Sequence, residues 1–332
     1  MTSIRSIALV TNPLSGHGKG AEVAVAAADQ FAARGIQVTV VHGDSAADTE
    51  RLLRETLADP ATRPDAVVAA GGDGLVCVTL QAVVGTGIPL GLVPGGTGND
   101  LARELGIPDE TTAAVDVVLA GKTRTVDLGT VAAQPIGKSS GAGSPVLGAG
   151  ADATHPALDA TRPIWFATVT GTGLDARVTL RANEMRWPKG PIRYTLAALL
   201  ELAGKLAVPY RIELTGSPDH PDGTVLELDA CMVAVGNTRT YGGGMLICPD
   251  AEIDDGLLDL TVVGAMSRLD MIRLLPTLSS GKRIDHPAAV QYRAAEIRLT
   301  APGAPATADG DPVGMLPAVF RAQAGALDVL VP

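Results

Sequence analysis

Three glycine-rich turns carry the residues most able to do chemistry. They are Asn12-Pro13-Leu14-Ser15-Gly16-His17-Gly18-Lys19-Gly20, Gly71-Gly72-Asp73-Gly74 and Pro94-Gly95-Gly96-Thr97-Gly98-Asn99-Asp100. Each follows a strand-like run and precedes a helix-like one. Glycine lets backbone N–H groups approach an anion closely, and a helix N-terminus adds partial positive charge. One such turn alone is an ordinary strand-to-helix connection. Three at one sheet edge, two of them carrying acids, read as a phosphate site with few basic side chains. The familiar nucleotide loops do not fit: the first turn ends Gly18-Lys19-Gly20, where a Walker A loop needs Ser or Thr after the lysine. Asp73, set between glycines, would repel a phosphate unless a cation bridges the two, and Mg²⁺ favours such mixed carboxylate–phosphate sites. The plainer reading of Asp73 is a turn residue bonding its own backbone.

Far downstream, Ala308-Asp309-Gly310-Asp311-Pro312 lies between two β-like runs. By itself it is a turn. Beside a nucleotide site it offers what phosphoryl transfer to an alcohol requires, a carboxylate that takes the hydroxyl proton. A third acidic group, Asp250-Ala251-Glu252-Ile253-Asp254-Asp255-Gly256, is either a solvated loop or a structural Mg²⁺ or Ca²⁺ site. The five histidines are scattered, and no HExxH pattern occurs.

The elements that must position these groups fall into two kinds. Strands are expected at Ile4–Val10, Gln37–His42, Ala66–Ala70 and Ile88–Val93. They alternate with helices at Lys19–Arg34, Ser45–Ala58, Leu75–Val84, Asn99–Leu105 and Thr111–Ala120. That alternation predicts a doubly wound parallel α/β sheet over residues 1–129. After Gly129, β-rich runs dominate: Ile164–Thr170, Pro209–Thr215, Thr224–Val235, Leu257–Val263, Ala295–Thr300 and Leu327–Val331. Helices are expected only at Arg193–Leu206 and Leu269–Leu278. Residues 130–316 are therefore expected to form an antiparallel β domain. The Gly/Ala/Ser/Pro-rich stretch 132–161 reads as a flexible insertion, and the tail 317–332 is placed back against the first domain.

Composition narrows the functions. The 332 residues exceed one ordinary core, 46% are hydrophobic, and only 3% are aromatic. A net charge of −10 argues against nucleic acid as a partner. Three cysteines without a CxxC pattern read as thiols of a reducing cytoplasm. No run approaches a membrane span. Yet residues 177–211 hold seven basic and two acidic residues around Trp187, a candidate face for anionic lipids at the inner membrane surface.

Taken together these motifs resemble the diacylglycerol kinase catalytic family, which includes bacterial soluble lipid kinases and sphingosine kinases. The likeness runs from the Asn12 turn through Gly71–Gly74, Pro94–Asp100 and Gly236-Asn237 to Tyr241-Gly242-Gly243-Gly244. It continues through Asp255-Gly256-Leu257-Leu258-Asp259 to Asp309-Gly310-Asp311. Met185-Arg186-Trp187-Pro188 and Gly236–Arg239 look most like actinobacterial diacylglycerol kinases.

The resemblance implies a nucleotide domain and a β-sandwich with the site between them, ATP as phosphate donor, Mg²⁺, and diacylglycerol or a related lipid as acceptor. It also implies a peripheral membrane enzyme, with a homo-oligomer left open. By position, Asn12, Ser15, Gly16, Gly71, Gly72, Asp73, Gly74, Gly96, Thr97, Asn99 and Asp100 would line the nucleotide. Asp73 would hold the catalytic Mg²⁺, and Asp309 would be the base. Glu252, Asp255 and Leu257 would correspond to a structural Mg²⁺ site. The chain departs from the family where Leu75, Cys77 and Val78 replace a Thr-x-Asn-Glu continuation, and where Asp311 replaces Glu. Kinases of sphingosine, ceramide or NAD are the alternatives; the Pro94–Asp100 turn favours the lipid branch.

Overall fold

Short runs of Val, Leu, Ile and Ala, each stopped by glycine or proline, build the first half. In chain order they give β1 (Ser6–Thr11), α1 (Lys19–Ala33), β2 (Gln37–Val41), α2 (Ala46–Ala58), β3 (Ala66–Gly71), α3 (Asp73–Val83), β4 (Leu90–Pro94), α4 (Asp100–Glu104) and α5 (Thr111–Ala120). Ser45 caps α2, its hydroxyl accepting from the Asp48 N–H at 3.1 Å. The computed structural model describes residues 3–12, 19–135, 163–185, 187 and 192–332.

These strands pair in parallel in the order β4-β3-β1-β2. Every residue of β3 and β4 is buried, as expected for strands covered on both faces. Helix α1 packs with α5, and α2 with α3. Because β1 has β2 on one side and β3 on the other, the chain turns in opposite directions from it. The carboxyl ends of β1 and β3 therefore open a crevice of the kind in which ligands bind.

The second half contains β5 (Thr123–Gln134), β6 (Ile164–Phe166), β7 (Val169–Gly173), α6 (Leu174–Glu184), α7 (Ile192–Leu202), β8 (Val208–Thr215) and β9 (Thr224–Gly236). There follow β10 (Thr240–Tyr241), β11 (Met245–Leu246), β12 (Leu258–Gly264), α8 (Arg268–Ser279), β13 (Ala289–Ala294), β14 (Glu296–Thr300), β15 (Pro305–Ala308) and β16 (Asp311–Leu330). Its ladders are antiparallel and close on themselves through β9, β7, β15, β16, β14 and β8. Inside that ring Phe166, Tyr210, Ile297 and Phe320 are buried. Strand β16 runs on past the ring, beside β5, until Val329 pairs with Leu90 of β4. One sheet thus passes through both halves.

Four expectations need correction. Helix α6 stands where no helix is expected, and it forms despite β-branched Val178 and Thr179, which weaken its helical pattern. The run Ile164–Thr170 is two strands, broken at Ala167 and Thr168, whose N–H groups serve Asp309 instead of a ladder. A strand, β5, crosses residue 129 without a break and takes in residues 132–134; most of the expected insertion lies outside the described residues. The expected short strand at Leu327–Val331 is the far end of the 20-residue β16.

Candidate active site

The second and third glycine turns lie against each other. The Gly95 N–H donates to the Gly71 carbonyl at 2.9 Å. A side-chain carbon built on Gly96 would stand 2.5 Å from Gly72 Cα, so only glycine permits this approach. Asp73 opens α3, and its carboxylate spans the gap. Oδ2 accepts from the Asn99 N–H at 2.8 Å and Oδ1 from the Asp100 N–H at 2.7 Å. Asp73 therefore caps α4 from outside, in place of an ordinary N-cap side chain. Asn99, left-handed at φ 54°, turns its amide back on Gly96, accepting from its N–H at 3.0 Å and donating to its carbonyl at 3.2 Å. Thr97 is exposed at the crest of the turn, and Asn12 is exposed at the end of β1. Ser15 and Gly16 lie outside the described residues.

Asp100 faces elsewhere. Its buried carboxylate accepts from the Gly243 N–H (2.9 Å), the Gly244 N–H (3.0 Å) and the Arg103 guanidinium (2.7 Å). Gly242, Gly243 and Gly244 have φ of 59°, 88° and 105°, which turns successive N–H groups inward as an anion nest. The nest holds a carboxylate of the same chain and joins the first half to the second. Beside it the Tyr241 hydroxyl donates to Asp175 Oδ1 at 2.7 Å, and burial pushes the Asp175 carboxyl up to about 6.

Asp309 and Gly310 form the two-residue turn of the β15–β16 hairpin, both left-handed at φ 48° and 88°, with Ala308 opposite Asp311. An Asp-Gly pair suits that geometry. The Asp309 carboxylate is held from the β6–β7 break: Oδ1 accepts from the Thr168 N–H (2.9 Å) and hydroxyl (2.5 Å), and Oδ2 from the Ala167 N–H (3.0 Å). Oδ2, with a single bond, keeps a lone pair for a substrate proton. Burial raises the Asp309 carboxyl to about 6 against these hydrogen bonds, and the Asp73 charge adds to the rise. Asp73 is itself raised, by burial first and by Asp100 second.

The two turns meet in space. A side-chain carbon on Gly74 would lie 3.8 Å from Asp311 Oδ2, and both Asp309 and Asp311 raise the Cys77 thiol, whose own burial does most. Gln81 fixes the approach, donating to the Trp165 carbonyl at 2.8 Å and accepting from its N–H at 3.1 Å. That amide ties α3 to the strand that leads into Ala167 and Thr168. Asn237 adds a further tie, donating to the carbonyls of Asp127 (2.9 Å) and Ala167 (3.0 Å).

The acidic loop is arranged otherwise. Asp255 pairs with the Arg293 guanidinium and accepts from the Leu257 N–H at 3.0 Å. Asp254 pairs with Arg124 at 2.6 Å, Asp250 pairs with Arg283, and Glu252 is exposed. Among the described residues no three acidic, histidine or cysteine side chains gather as a metal-binding group. Asp255 touches Leu257 but has the Arg293 guanidinium as its countercharge, while Glu252 lies exposed beside them. Asp73 meets a different test. Mg²⁺ needs only one or two carboxylates when phosphate oxygens complete its shell, and carboxyls raised by burial and by one another fit a cation beside them.

Residues missed from the sequence are Thr168, Gln81, Asp175 and the pairing of Asp100 with the Gly243–Gly244 nest. Only the last had a visible signal, three successive glycines after Tyr241.

A parallel sheet with glycine-rich turns at its carboxyl edge is joined to a β ring that presents the half-buried Asp309 carboxylate to one of those turns, an arrangement suited to group transfer. Comparison with known proteins gives the family. Residues 6–131 match the diacylglycerol kinase catalytic domain, and residues 168–331 match the YegS C-terminal NAD kinase beta sandwich-like domain. A diacylglycerol kinase of Mycobacterium tuberculosis is 39% identical, covering 99% of this chain and 96% of its own. A diacylglycerol kinase of Staphylococcus aureus is 28% identical over 87% of this chain and 79% of its own. The fold matches a crystal structure of a diacylglycerol kinase from Bacillus anthracis, with TM-score 0.67, 19% identity, and 100% and 98% of the two chains covered. The chain belongs to the diacylglycerol kinase family and is a lipid kinase.

Proposed function

We propose that this lipid kinase transfers the γ-phosphoryl group of ATP to the primary hydroxyl of diacylglycerol, giving phosphatidic acid and ADP. The observation that carries this reading is the meeting of the Asp309 hairpin with the Asp73 glycine box, although the two are far apart in sequence.

The backbone N–H groups of the glycine turns receive the phosphates, with Asn99 holding the third turn in shape. Asp73 is the residue that would hold Mg²⁺, and the ion would supply charge neutralisation on the transferring phosphoryl group. Thr168 and Ala167 orient Asp309, whose Oδ2 accepts the hydroxyl proton as the lipid oxygen attacks phosphorus in line. A carboxyl held up near 6 suits this work better than an ordinary one, because it is ionised at neutral pH yet more basic. Positioning by the two halves supplies much of the rate. The acceptor is water-insoluble, so the enzyme works at a bilayer surface as a peripheral protein; among the described residues no helix is long and apolar enough to cross a membrane.

The test offers ATP and Mg²⁺ with diacylglycerol, sphingosine, ceramide and NAD in parallel. Phosphate appearing on diacylglycerol is the expected result. Transfer to another of these acceptors with none to diacylglycerol overturns the reading.

A further inference from the structure

The short strand β6 is anchored in both cores. Half-buried Trp165 packs against the core of the parallel sheet, and Phe166 is buried inside the β ring. Gly129 lies opposite Phe166 and leaves room for it: a side-chain carbon there would stand 2.0 Å from the ring. On one flank β6 pairs with residues 129–131 of β5, and among the described residues no strand pairs with the other flank. Gln81 takes that place. Its side-chain nitrogen donates to the Trp165 carbonyl at 2.8 Å and to the Cys77 carbonyl at 3.0 Å, and its oxygen accepts from the Trp165 N–H at 3.1 Å. One amide thus satisfies both main-chain groups of Trp165, as a neighbouring strand would.

The two ends of this link are the two carboxylates of the cleft. Helix α3 opens on Asp73 and carries Gln81 two turns further on, about 12 Å along its axis. Arg54, paired with Glu50 at 2.5 Å, donates to the Gln81 main-chain carbonyl, so α2 steadies the helix where the side chain leaves it. Past Trp165 the chain runs through Phe166 to Ala167 and Thr168, whose N–H groups hold the Asp309 carboxylate. A path from Asp73 to Asp309 therefore consists of a helix, one side-chain amide and a short strand.

We propose that Gln81 is a positioning residue for phosphoryl transfer: acting through the Trp165 backbone, it fixes where Ala167 and Thr168 present the Asp309 carboxylate to the Asp73 glycine box. The role rests on Asp309 being the proton acceptor, and it is independent of which lipid alcohol is the substrate. Group transfer tolerates little error in placement, and a displacement of about 1 Å costs up to ~10²-fold in rate. Without the amide, the outer flank of β6 loses its hydrogen bonds and is held by ring packing. The donors on Asp309 then loosen, and with them the hydrogen bonds that hold its carboxyl down against the effect of burial.

The test uses the full chain and the variant Gln81→Leu, which keeps the helix and most of the volume but removes the amide. Assays use the lipid alcohol that the wild-type enzyme phosphorylates, so an error in the diacylglycerol assignment is read separately. Turnover at saturating substrates is expected to fall about 10- to 10²-fold while nucleotide affinity stays at the wild-type value. The rising limb of kcat is expected to move to higher pH, because weaker hydrogen bonds leave the Asp309 carboxyl more basic. In an Asp309→Asn background, Gln81→Leu should take little further from the residual turnover, since a residue that acts through the base then has nothing to position. Gln81→Asn, with the amide on a stem one methylene shorter, serves if Gln81→Leu unfolds at the assay temperature; the same changes in smaller measure are expected. Wild-type turnover in Gln81→Leu overturns the proposal. So does an equal loss with and without the Asp309 carboxylate, or a pH limb that stays in place. Full turnover in Asp309→Asn alone overturns the base itself, and the positioning role with it.

Discussion

Two groups of acids in this molecule are treated in opposite ways. In the cleft, Asp73 and Asp309 are met by backbone N–H groups, with the Thr168 hydroxyl also on Asp309, and burial lifts both carboxyls. In the acidic loop, Asp250, Asp254 and Asp255 are met by Arg283, Arg124 and Arg293. Backbone donors orient a carboxylate without cancelling its charge; arginine does both. The cleft carboxylates therefore keep their charge uncancelled, whereas the loop's acids are balanced by arginines of neighbouring segments. Spacing in sequence, denser in the loop, points the other way.

The sharpest break of that contrast is Asp309→Asn. It keeps the shape and removes the proton acceptor, so turnover should fall by about 10²–10⁴-fold with ATP affinity nearly unchanged. Equal loss in steady-state turnover and in nucleotide binding would make Asp309 a structural residue. The same carboxyl sets a pH dependence. It must be ionised to act and is raised to about 6, so wild-type kcat should climb as pH rises through about 6. The residual activity of Asp309→Asn should lack that limb.

Next in size is Asp73→Asn, which retains an acceptor for one of the two α4 N–H groups but loses the charge. A roughly 10-fold higher Mg²⁺ requirement in a titration at fixed ATP is expected, the scale of one charge-assisted contact. An unchanged requirement would leave Asp73 as a cap alone.

Asp100→Ala should act on stability first. It leaves the Gly243 and Gly244 N–H groups without their buried acceptor, at about 1–3 kcal/mol in denaturant unfolding. The smallest effect is expected at the loop. Chelating divalent ions from the nucleotide-free protein should leave its thermal unfolding where it was, because Arg293 already balances Asp255. A clear downward shift would return the loop to the metal-binding kind.

The parts legible in the sequence were those decided locally. The glycines after β3 and β4, Ser45 before a helix and Asp309-Gly310 between β-like runs each fix their own backbone, and each forms as read. The cleft was legible only as a set of pieces. Thr168 finds Asp309 because a strand breaks, and nothing within Ile164–Thr170 marks where. Helix α6 sits under the Asp309 hairpin, yet its Val178 and Thr179 argue against a helix until packing overrides them. Helix α7 was legible as a helix but not in its orientation: it buries Ala197 and Leu202 while Ile192, Leu199 and Leu200 stay exposed, and apolar spacing alone does not say which.

Strand β16 has one more consequence. The outer side of β4 is closed only when residues near Val329 arrive, more than two hundred positions after Leu90. While the chain is being made, the nucleotide sheet waits with an unpaired border, and a nascent chain halted before Leu327 would display it. Completion of the first sheet thus waits on a stretch of polypeptide made more than two hundred residues after the strand that it flanks.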